Sequence, residues 1–137
     1  MNKALGVTLV VLAVAIAVVP HFTDCLSQGH LVTLANGATQ PMKCHWSAQA
    51  AIALGIPLAG MGAVLTVSKR KSTLLGISVL GVILGAMVLA VPDALIGTCA
   101  MASHICNTAM KPSLNVLGSL AIVGSLGGMV LASRSKS

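Results

Sequence analysis

The sequence predicts an all-α membrane protein, a bundle of four transmembrane helices with both termini inside (N-in/C-in) and a small extracytoplasmic cap containing a β-hairpin. Of its 137 residues, 56% are hydrophobic and 7% are charged, whereas a soluble domain carries about 25% charged residues. The chain has room for four apolar segments of ~20 residues, the length that crosses a bilayer. All cysteines, histidines and acids lie in residues 20–46 and 92–113. We expect one integral membrane domain over residues 1–137.

The distribution of charge predicts the orientation. The cations Lys43 and Lys111 are balanced by Asp24 and Asp93 at one set of span ends. The opposite ends carry an unbalanced excess, which by the positive-inside rule places the termini and the 68–72 turn in the cytoplasm. A nucleic-acid partner is not expected, because no basic face with interleaved aromatic residues is present. The excess cations are Lys3, Lys69, Arg70, Lys71, Arg134 and Lys136.

The first span is expected over residues 4–19, with Pro20 ending the helix. Its basic start and apolar core also resemble a signal peptide, but no small-x-small cleavage site precedes Pro20. We therefore expect the segment to remain as a transmembrane helix.

The first outer loop, residues 20–46, is predicted to contain the β-hairpin. Two short runs, 31–35 and 38–42, flank Asn36-Gly37, a pair that favours a type I′ turn. Pairing about that turn sets Leu31 opposite Met42. A Cys25–Cys44 disulfide would then close the base of the loop and support a hairpin that is marginal alone.

The remaining spans are expected over residues 47–67, 73–91 and 114–132. Trp46 stands at the outer end of the second span, where an indole ring bridges lipid and water, and Pro57 predicts a mild kink. The intervening 68–72 turn is so short that its two helices must be antiparallel neighbours. Pairs of glycines four residues apart predict close helix packing in the last two spans. These glycines are Gly81, Gly85, Gly124 and Gly128.

The second outer loop, residues 92–113, contains Cys99, His104 and Cys106. If residues 100–109 are helical, Cys99 and Cys106 stand about 10 Å apart along the helix axis, too far for a disulfide. Either this segment is irregular, or its cysteines pair with the first loop. Asp93 is expected to cap a helix or to form a salt bridge, with Lys111 or Lys43 as its partner.

A weak internal repeat relates the two halves of the chain. Each half consists of a span, a proline, a loop with two cysteines and a second span, which indicates a duplicated helix–loop–helix unit whose loops face the same way. Asn107 stands where a histidine would make the two loops equivalent. The corresponding residues are Pro20 and Pro92, Cys44 and Cys106, His45 and Asn107, and Leu54-Gly55 and Leu117-Gly118.

Three motifs stand out in the two loops: the run 41–50, PMKCHWSAQA, then Cys99-x-Met101, and the run 106–112, CNTAMKP. With these motifs the chain resembles a family of small bacterial four-helix membrane proteins known mainly as a domain of unknown function. The resemblance spans nearly the whole chain and implies a multi-pass protein of the bacterial cytoplasmic membrane. Members of the family often accompany efflux-type ABC transporters, which implies an accessory role.

The first of three open hypotheses is structural. Four cysteines on the oxidising side of the membrane are typical of disulfides, and two bridges would stiffen the cap of a non-catalytic accessory protein. The preferred pairing is Cys25–Cys44 with Cys99–Cys106, followed by cross-loop pairs. The expected partners are membrane lipids and a membrane protein, either an ABC-type transporter or a second copy of the chain, and no cofactor is expected.

The second hypothesis is catalytic. Four spans with two cysteine-bearing outer loops are also the layout of quinone-linked thiol–disulfide oxidoreductases of the DsbB or vitamin K epoxide reductase type. The likeness lies only in this architecture. The chain has no Cys-x-x-Cys motif, which in such enzymes lowers the pKa of the reactive thiol.

The third hypothesis is a soft-metal or haem site. Cys44, His45, His104 and Cys106 supply thiolate and imidazole ligands suited to Cu(I) or Zn, and methionines lie nearby in both loops. The spacing matches no zinc signature closely. A haem held at the outer edge by one histidine and one methionine belongs to the same hypothesis.

Overall fold

Four long helices dominate the structure, a computed structural model that describes residues 2–24, 29, 31–98, 100 and 102–134. Helices α1 (Asn2–Thr23), α2 (Lys43–Val67), α3 (Lys71–Ala90) and α4 (Lys111–Arg134) follow in chain order. A π-helical turn over Val91–Leu95 extends α3, and another over Cys106–Met110 leads into α4. All four helices are long and apolar enough to cross a membrane. The chain is therefore a multi-pass membrane protein, as its composition predicts.

The two prolines expected to end helices lie inside helical segments instead. Helix α1 continues past Pro20 to Thr23, so the expected end at residue 19 is wrong. A proline in this last turn removes only one backbone hydrogen bond from the helix. The Thr23 hydroxyl donates a hydrogen bond to the Val19 carbonyl oxygen in the same turn, at 2.8 Å. Pro92 lies in the π-helical turn after α3. Wider turns of this kind occur inside α-helices, and the helical path continues past the expected end at residue 91.

The predicted hairpin is present, but its register differs by one residue from the expected one. Strands β1 (Leu31–Thr33) and β2 (Thr39–Pro41) pair antiparallel, with Leu31 opposite Pro41 rather than Met42. A type I′ turn needs φ > 0 at both central residues. Here Gly37 has φ +84°, and no described non-glycine residue has a positive φ. The loop is therefore the three-residue kind, a tight turn followed by a glycine in the left-handed region.

Close packing joins the helices in two pairs. Contacts are most extensive between α1 and α2 and between α3 and α4. In the first pair, a Cβ atom on Gly62 would lie 2.9 Å from the Gly6 carbonyl oxygen. In the second, a Cβ atom on Gly85 would lie 3.2 Å from the Gly118 carbonyl oxygen. Backbones approach this closely only where small residues line the interface.

The bundle has two distinct ends. The loop end carries the hairpin and residues 96–98 and 102–105, and the turn end carries residues 68–70, the start of α1 and the end of α4. Outward-facing apolar side chains cover the helices between the two ends, for example Val7, Val11, Val14 and Val18 along one face of α1. Such a surface suits contact with lipid rather than with water.

Candidate functional site

A disulfide between Cys44 and Cys106 lies at the loop end of the bundle, with 6.3 Å between the two Cα atoms. Both residues are fully buried, with 0% of their surface exposed. The preferred pairing of Cys44 with Cys25 and of Cys106 with Cys99 is therefore wrong, and a cross-loop bridge is present instead. Cys25 and Cys99 themselves lie outside the described residues.

The helix boundaries explain this pairing. Cys44 is the second residue of α2, and Cys106 is the first residue of the π-helical turn that leads into α4. Both therefore point from helix starts into the bundle, where they join a buried cluster with Met110 and Leu114. The Cys106 sulfur also lies 3.8 Å from the Thr23 carbonyl oxygen at the end of α1. The bridge thus gathers three helix ends at one point.

A carboxylate–imidazole pair flanks the bridge. The Nδ1 atom of His45 lies 2.6 Å from the Asp24 carboxylate, and Asp24 is 7% exposed. A carboxylate so deeply buried needs a hydrogen-bond partner, because the lost hydration is otherwise uncompensated. The pair therefore ties the end of α1 to the start of α2. His45, one of the proposed metal ligands, is thus hydrogen-bonded to the Asp24 carboxylate through Nδ1.

Two further hydrogen bonds attach the segment after α3 to the same region. The buried Ser47 hydroxyl donates to the Gly97 carbonyl oxygen at 2.6 Å, and the Thr98 hydroxyl donates to the Asn107 side-chain oxygen. The first bond joins α2 to this segment, and the second joins the segment to the turn before α4. We call the disulfide with these two bonds and the Asp24–His45 pair the bridge cluster.

The predicted salt bridge of Asp93 is also present. The Lys111 ammonium lies 2.8 Å from the Asp93 carboxylate, and both side chains are about two-fifths exposed at 37% and 43%. An exposed pair of this kind contributes about 0–1 kcal/mol. It therefore joins the end of α3 to the start of α4 only weakly.

The proposed soft-metal ligands do not gather into one site. Cys44 and Cys106 are joined to each other and offer no thiolate while the bridge is intact, and His45 is paired with Asp24. Among the described residues, no group of three or more histidine, cysteine or acidic side chains is placed to hold a metal ion. His104 is half-buried in the segment before the second π-helical turn. The metal hypothesis stays a prediction.

The four glycines predicted to pack helices fall into two groups. Gly81 and Gly85 face α4, where Cβ atoms added to them would meet Ser125 and Ile122. Gly128 faces α3, where a Cβ atom added to it would lie 2.8 Å from the Ser78 hydroxyl oxygen. Gly124 instead faces Leu9 of α1, at 3.4 Å. The α3–α4 contact thus combines glycines with two buried serines, Ser78 and Ser125.

A surface cleft of about 290 Å³ lies beside the bridge cluster, between the hairpin and the segment after α3. Its lining combines three apolar residues with one lysine and one threonine. The lining residues are Val32, Met42, Lys43, Thr98 and Ala100.

Sequence reasoning did not identify several members of the bridge cluster. Asp24 was noted only as a balancing charge, and Ser47, Thr98 and Asn107 were not expected to make these contacts. The partners are far apart in sequence, 21 residues for Asp24 and His45 and 50 for Ser47 and Gly97. The one signal available was position, because Asp24 and Thr98 each precede a loop cysteine, and His45 and Asn107 each follow one.

Fold and site together define a helical, multi-pass membrane protein with a buried disulfide at one end of its bundle. Residues 4–131 match the family described as "Domain of unknown function (DUF4418)", and the chain belongs to that family. No curated protein and no solved structure matches the chain.

Proposed function

We propose that the protein is a non-catalytic accessory subunit of the bacterial cytoplasmic membrane, with the loop end outside the cell membrane and both termini in the cytoplasm. Its bridge cluster holds the cap in one conformation for a membrane-protein partner. This partner is an ABC-type transport protein, as the family resemblance implies.

The observation that carries a structural role is the complete burial of the disulfide. Thiol–disulfide exchange begins with attack of a thiolate on one sulfur atom, so a bridge that works in catalysis must be accessible. Cys44 and Cys106 are both 0% exposed. A bridge with this environment supports a role in stability rather than in electron transfer.

The charge distribution supports the proposed orientation. The turn end carries five described cations and no acid, whereas Lys43 and Lys111 at the loop end are balanced by Asp24 and Asp93. The disulfide also lies at the loop end. The five cations are Lys3, Lys69, Arg70, Lys71 and Arg134. Basic residues concentrate on the cytoplasmic side of membrane proteins, and disulfides persist on the oxidising side. Both tendencies put the turn end in the cytoplasm.

The hairpin is the part of the cap best suited to contact a partner. Leu31, Val32 and Leu34 are exposed apolar residues on or beside β1, with 44%, 43% and 38% of their surface exposed. Exposed apolar clusters outside the lipid-covered part of a membrane protein mark contact surfaces. Lys43 of the adjacent cleft adds a positive charge at its rim.

Access to the disulfide tests the structural role. The protein is purified in mild detergent, treated with dithiothreitol, alkylated and weighed intact, alongside a sample treated in the same way after denaturation in SDS. We expect the Cys44–Cys106 bridge to be reduced and alkylated quickly in the denatured sample and only very slowly in the native sample, because both sulfur atoms are buried. Rapid reduction in the native sample, or electron transfer to an added quinone, would favour the oxidoreductase hypothesis. Free thiols together with stoichiometric copper or zinc would favour the metal hypothesis.

Site-specific crosslinking in cells tests the partner. A photo-crosslinking amino acid replaces Val32 in the hairpin, and a matched variant carries it at Val67 at the turn end. We expect an adduct with an ABC-type transport protein from position 32 and not from position 67. An adduct with a second copy of the chain would show a homo-oligomer instead, and the absence of any adduct at position 32 would contradict the role of the hairpin.

A further inference from the structure

The two halves of the chain repeat the same helix contacts. A Cβ atom on Gly55 in α2 would lie 3.1 Å from the Ala13 carbonyl oxygen, and one on Gly118 in α4 would lie 3.2 Å from the Gly85 carbonyl oxygen. Ala13 stands as far before Pro20 as Gly85 stands before Pro92. Each half therefore packs its two helices through equivalent residues.

The polar contacts at the loop end repeat as well. Asp24, which precedes the first cysteine of its loop, pairs with His45, which follows the second. Thr98 and Asn107 hold the same two positions in the second loop and are also hydrogen-bonded to each other. A different pair of side chains thus makes the same connection in each half.

The disulfide joins equivalent residues of the two halves. Cys44 and Cys106 each stand directly before the second partner of these polar pairs. A contact between equivalent positions of two similar units lies on the two-fold axis that relates them. Because both loops are at the same end of the bundle, this axis runs along the helices, as in membrane proteins built from parallel repeats.

Contact between the halves is looser than contact within them. The α1–α4 and α2–α3 interfaces are less extensive than the two interfaces within halves. Two open clefts lie along the α1–α4 interface. One, of about 410 Å³, is lined by residues such as Ala15 and Leu117, and the other, of about 550 Å³, by residues such as Leu5 and Leu131. Within each half, the two helix backbones approach closely at glycines. Between the halves, side chains fill the interface, for example the Leu9 side chain, which packs against Gly124.

From this arrangement we propose that the Cys44–Cys106 disulfide is a latch between two equivalent halves. The 68–70 turn connects the halves at the turn end, and the disulfide connects them at the loop end. When a dithiol reductant opens the bridge, the disulfide takes up two electrons and two protons to give two thiols, and the dithiol becomes a disulfide. The loop ends then separate along the interface while each half keeps its own packing.

The latch goes beyond the proposed accessory role, because it concerns motion between the halves and needs no partner. Burial of both sulfurs keeps the latch closed against weak reductants. Opening it exposes the interface between α1 and α4 at the loop end, next to Val19 and Pro112 of the first cleft.

Distance measurements between spin labels test the latch. Labels are attached to a genetically encoded ketone amino acid, which leaves the cysteines untouched, and the protein is studied in lipid nanodiscs. One pair, at Phe22 and Leu95, spans the two halves at the loop end, where both residues are exposed. A matched pair, at Phe22 and Trp46, lies within the first half. Each pair is measured in the parent protein and in the Cys44→Ser/Cys106→Ser variant.

We expect the Phe22–Leu95 distances to lengthen and their distribution to widen in the variant, while the Phe22–Trp46 distribution is unchanged. An unchanged Phe22–Leu95 distribution would overturn the proposal, as would equal widening of both pairs, which would indicate general loosening. If the variant does not fold, the parent protein is kept in dithiothreitol long enough for the buried bridge to open, with open bridges counted by intact mass, and gives the same comparison. The structural role proposed above is refuted by rapid reduction of the native bridge, whereas the latch is refuted by unchanged spin-label distances. The two proposals can therefore fail independently.

Discussion

The close approach of α1 and α2 makes Gly62 a sharp test of how the bundle is packed. In Gly62→Ala, the new methyl group would lie 2.9 Å from the Gly6 carbonyl oxygen and 2.9 Å from the Val10 amide nitrogen, whereas ordinary contact begins near 3.4 Å. Both neighbours are backbone atoms, so the helices must separate by about 0.5 Å. A gap of that size removes about a quarter to a half of the dispersion energy of the contacts it opens.

The expected net effect follows from two opposing terms. Overpacking costs about 1–3 kcal/mol, and replacing glycine by alanine inside a helix returns up to ~1 kcal/mol. Gly62→Ala should therefore lower the free energy of unfolding by about 1–2 kcal/mol. Gly60→Ala is the matched control, because its methyl group would meet nothing within 4 Å, and this variant should be unchanged or slightly more stable.

Reversible unfolding in mixed micelles of dodecyl maltoside and SDS, followed by helical circular dichroism, measures both variants. The double variant Gly6→Ala/Gly62→Ala adds a second check. A Cβ atom on Gly6 would lie 2.8 Å from the Gly62 carbonyl oxygen, in the same contact. Once one methyl group has separated the helices, the second should cost less than it does alone. Equal stability of Gly60→Ala and Gly62→Ala, or strict additivity in the double variant, would refute the proposed close packing.

Three further predictions concern the loop end. The Cys44→Ser/Cys106→Ser variant should lose up to ~4 kcal/mol of stability in SDS unfolding, the loop-entropy value for a separation of 62 residues; the same stability as the oxidised parent would contradict this. Asp24→Ala should lower stability by about 1–3 kcal/mol, because it removes a buried hydrogen bond and leaves the partly buried His45 imidazole without this partner. Asp93→Ala, in an exposed pair, should cost about 0–1 kcal/mol, and the reverse order in the same assay would be inconsistent with the burial of Asp24. Gly37→Ala should destabilise the hairpin by about 1 kcal/mol because φ is +84° there, seen as faster proteolysis in the loop, and an unchanged cleavage rate would count against this turn geometry.

The helical part of the fold follows largely from composition. Long apolar runs separated by polar loops predict four membrane-crossing helices, because burial in lipid requires every backbone group to bond within its own helix. The hairpin is predictable from Asn36-Gly37, but its register is not, because the same two residues fit both a two-residue and a three-residue loop. The choice changes the partner of Leu31 by one residue.

The helix ends and the site depend on contacts that local sequence does not contain. Pro20 and Pro92 are helix breakers by propensity, yet the structure tolerates both near helix ends, one in a last turn and the other in a π-helical turn. The spacing of the cysteines did not decide the disulfide, because all four lie in the two polar loops of the sequence and can pair either within a loop or between the loops. The internal repeat carried the missing information, since only a cross-loop bridge joins equivalent residues.

The position of Cys106 in the chain affects how the protein is made. The bridge closes a covalent ring that contains α2 from Cys44 onward, the 68–70 turn and α3, while α1 and α4 lie outside it. During synthesis Cys44 emerges first, and three helices must be inserted before its partner arrives. The disulfide can therefore close only after α1, α2 and α3 have been made, so its formation reports that the chain has passed the third helix.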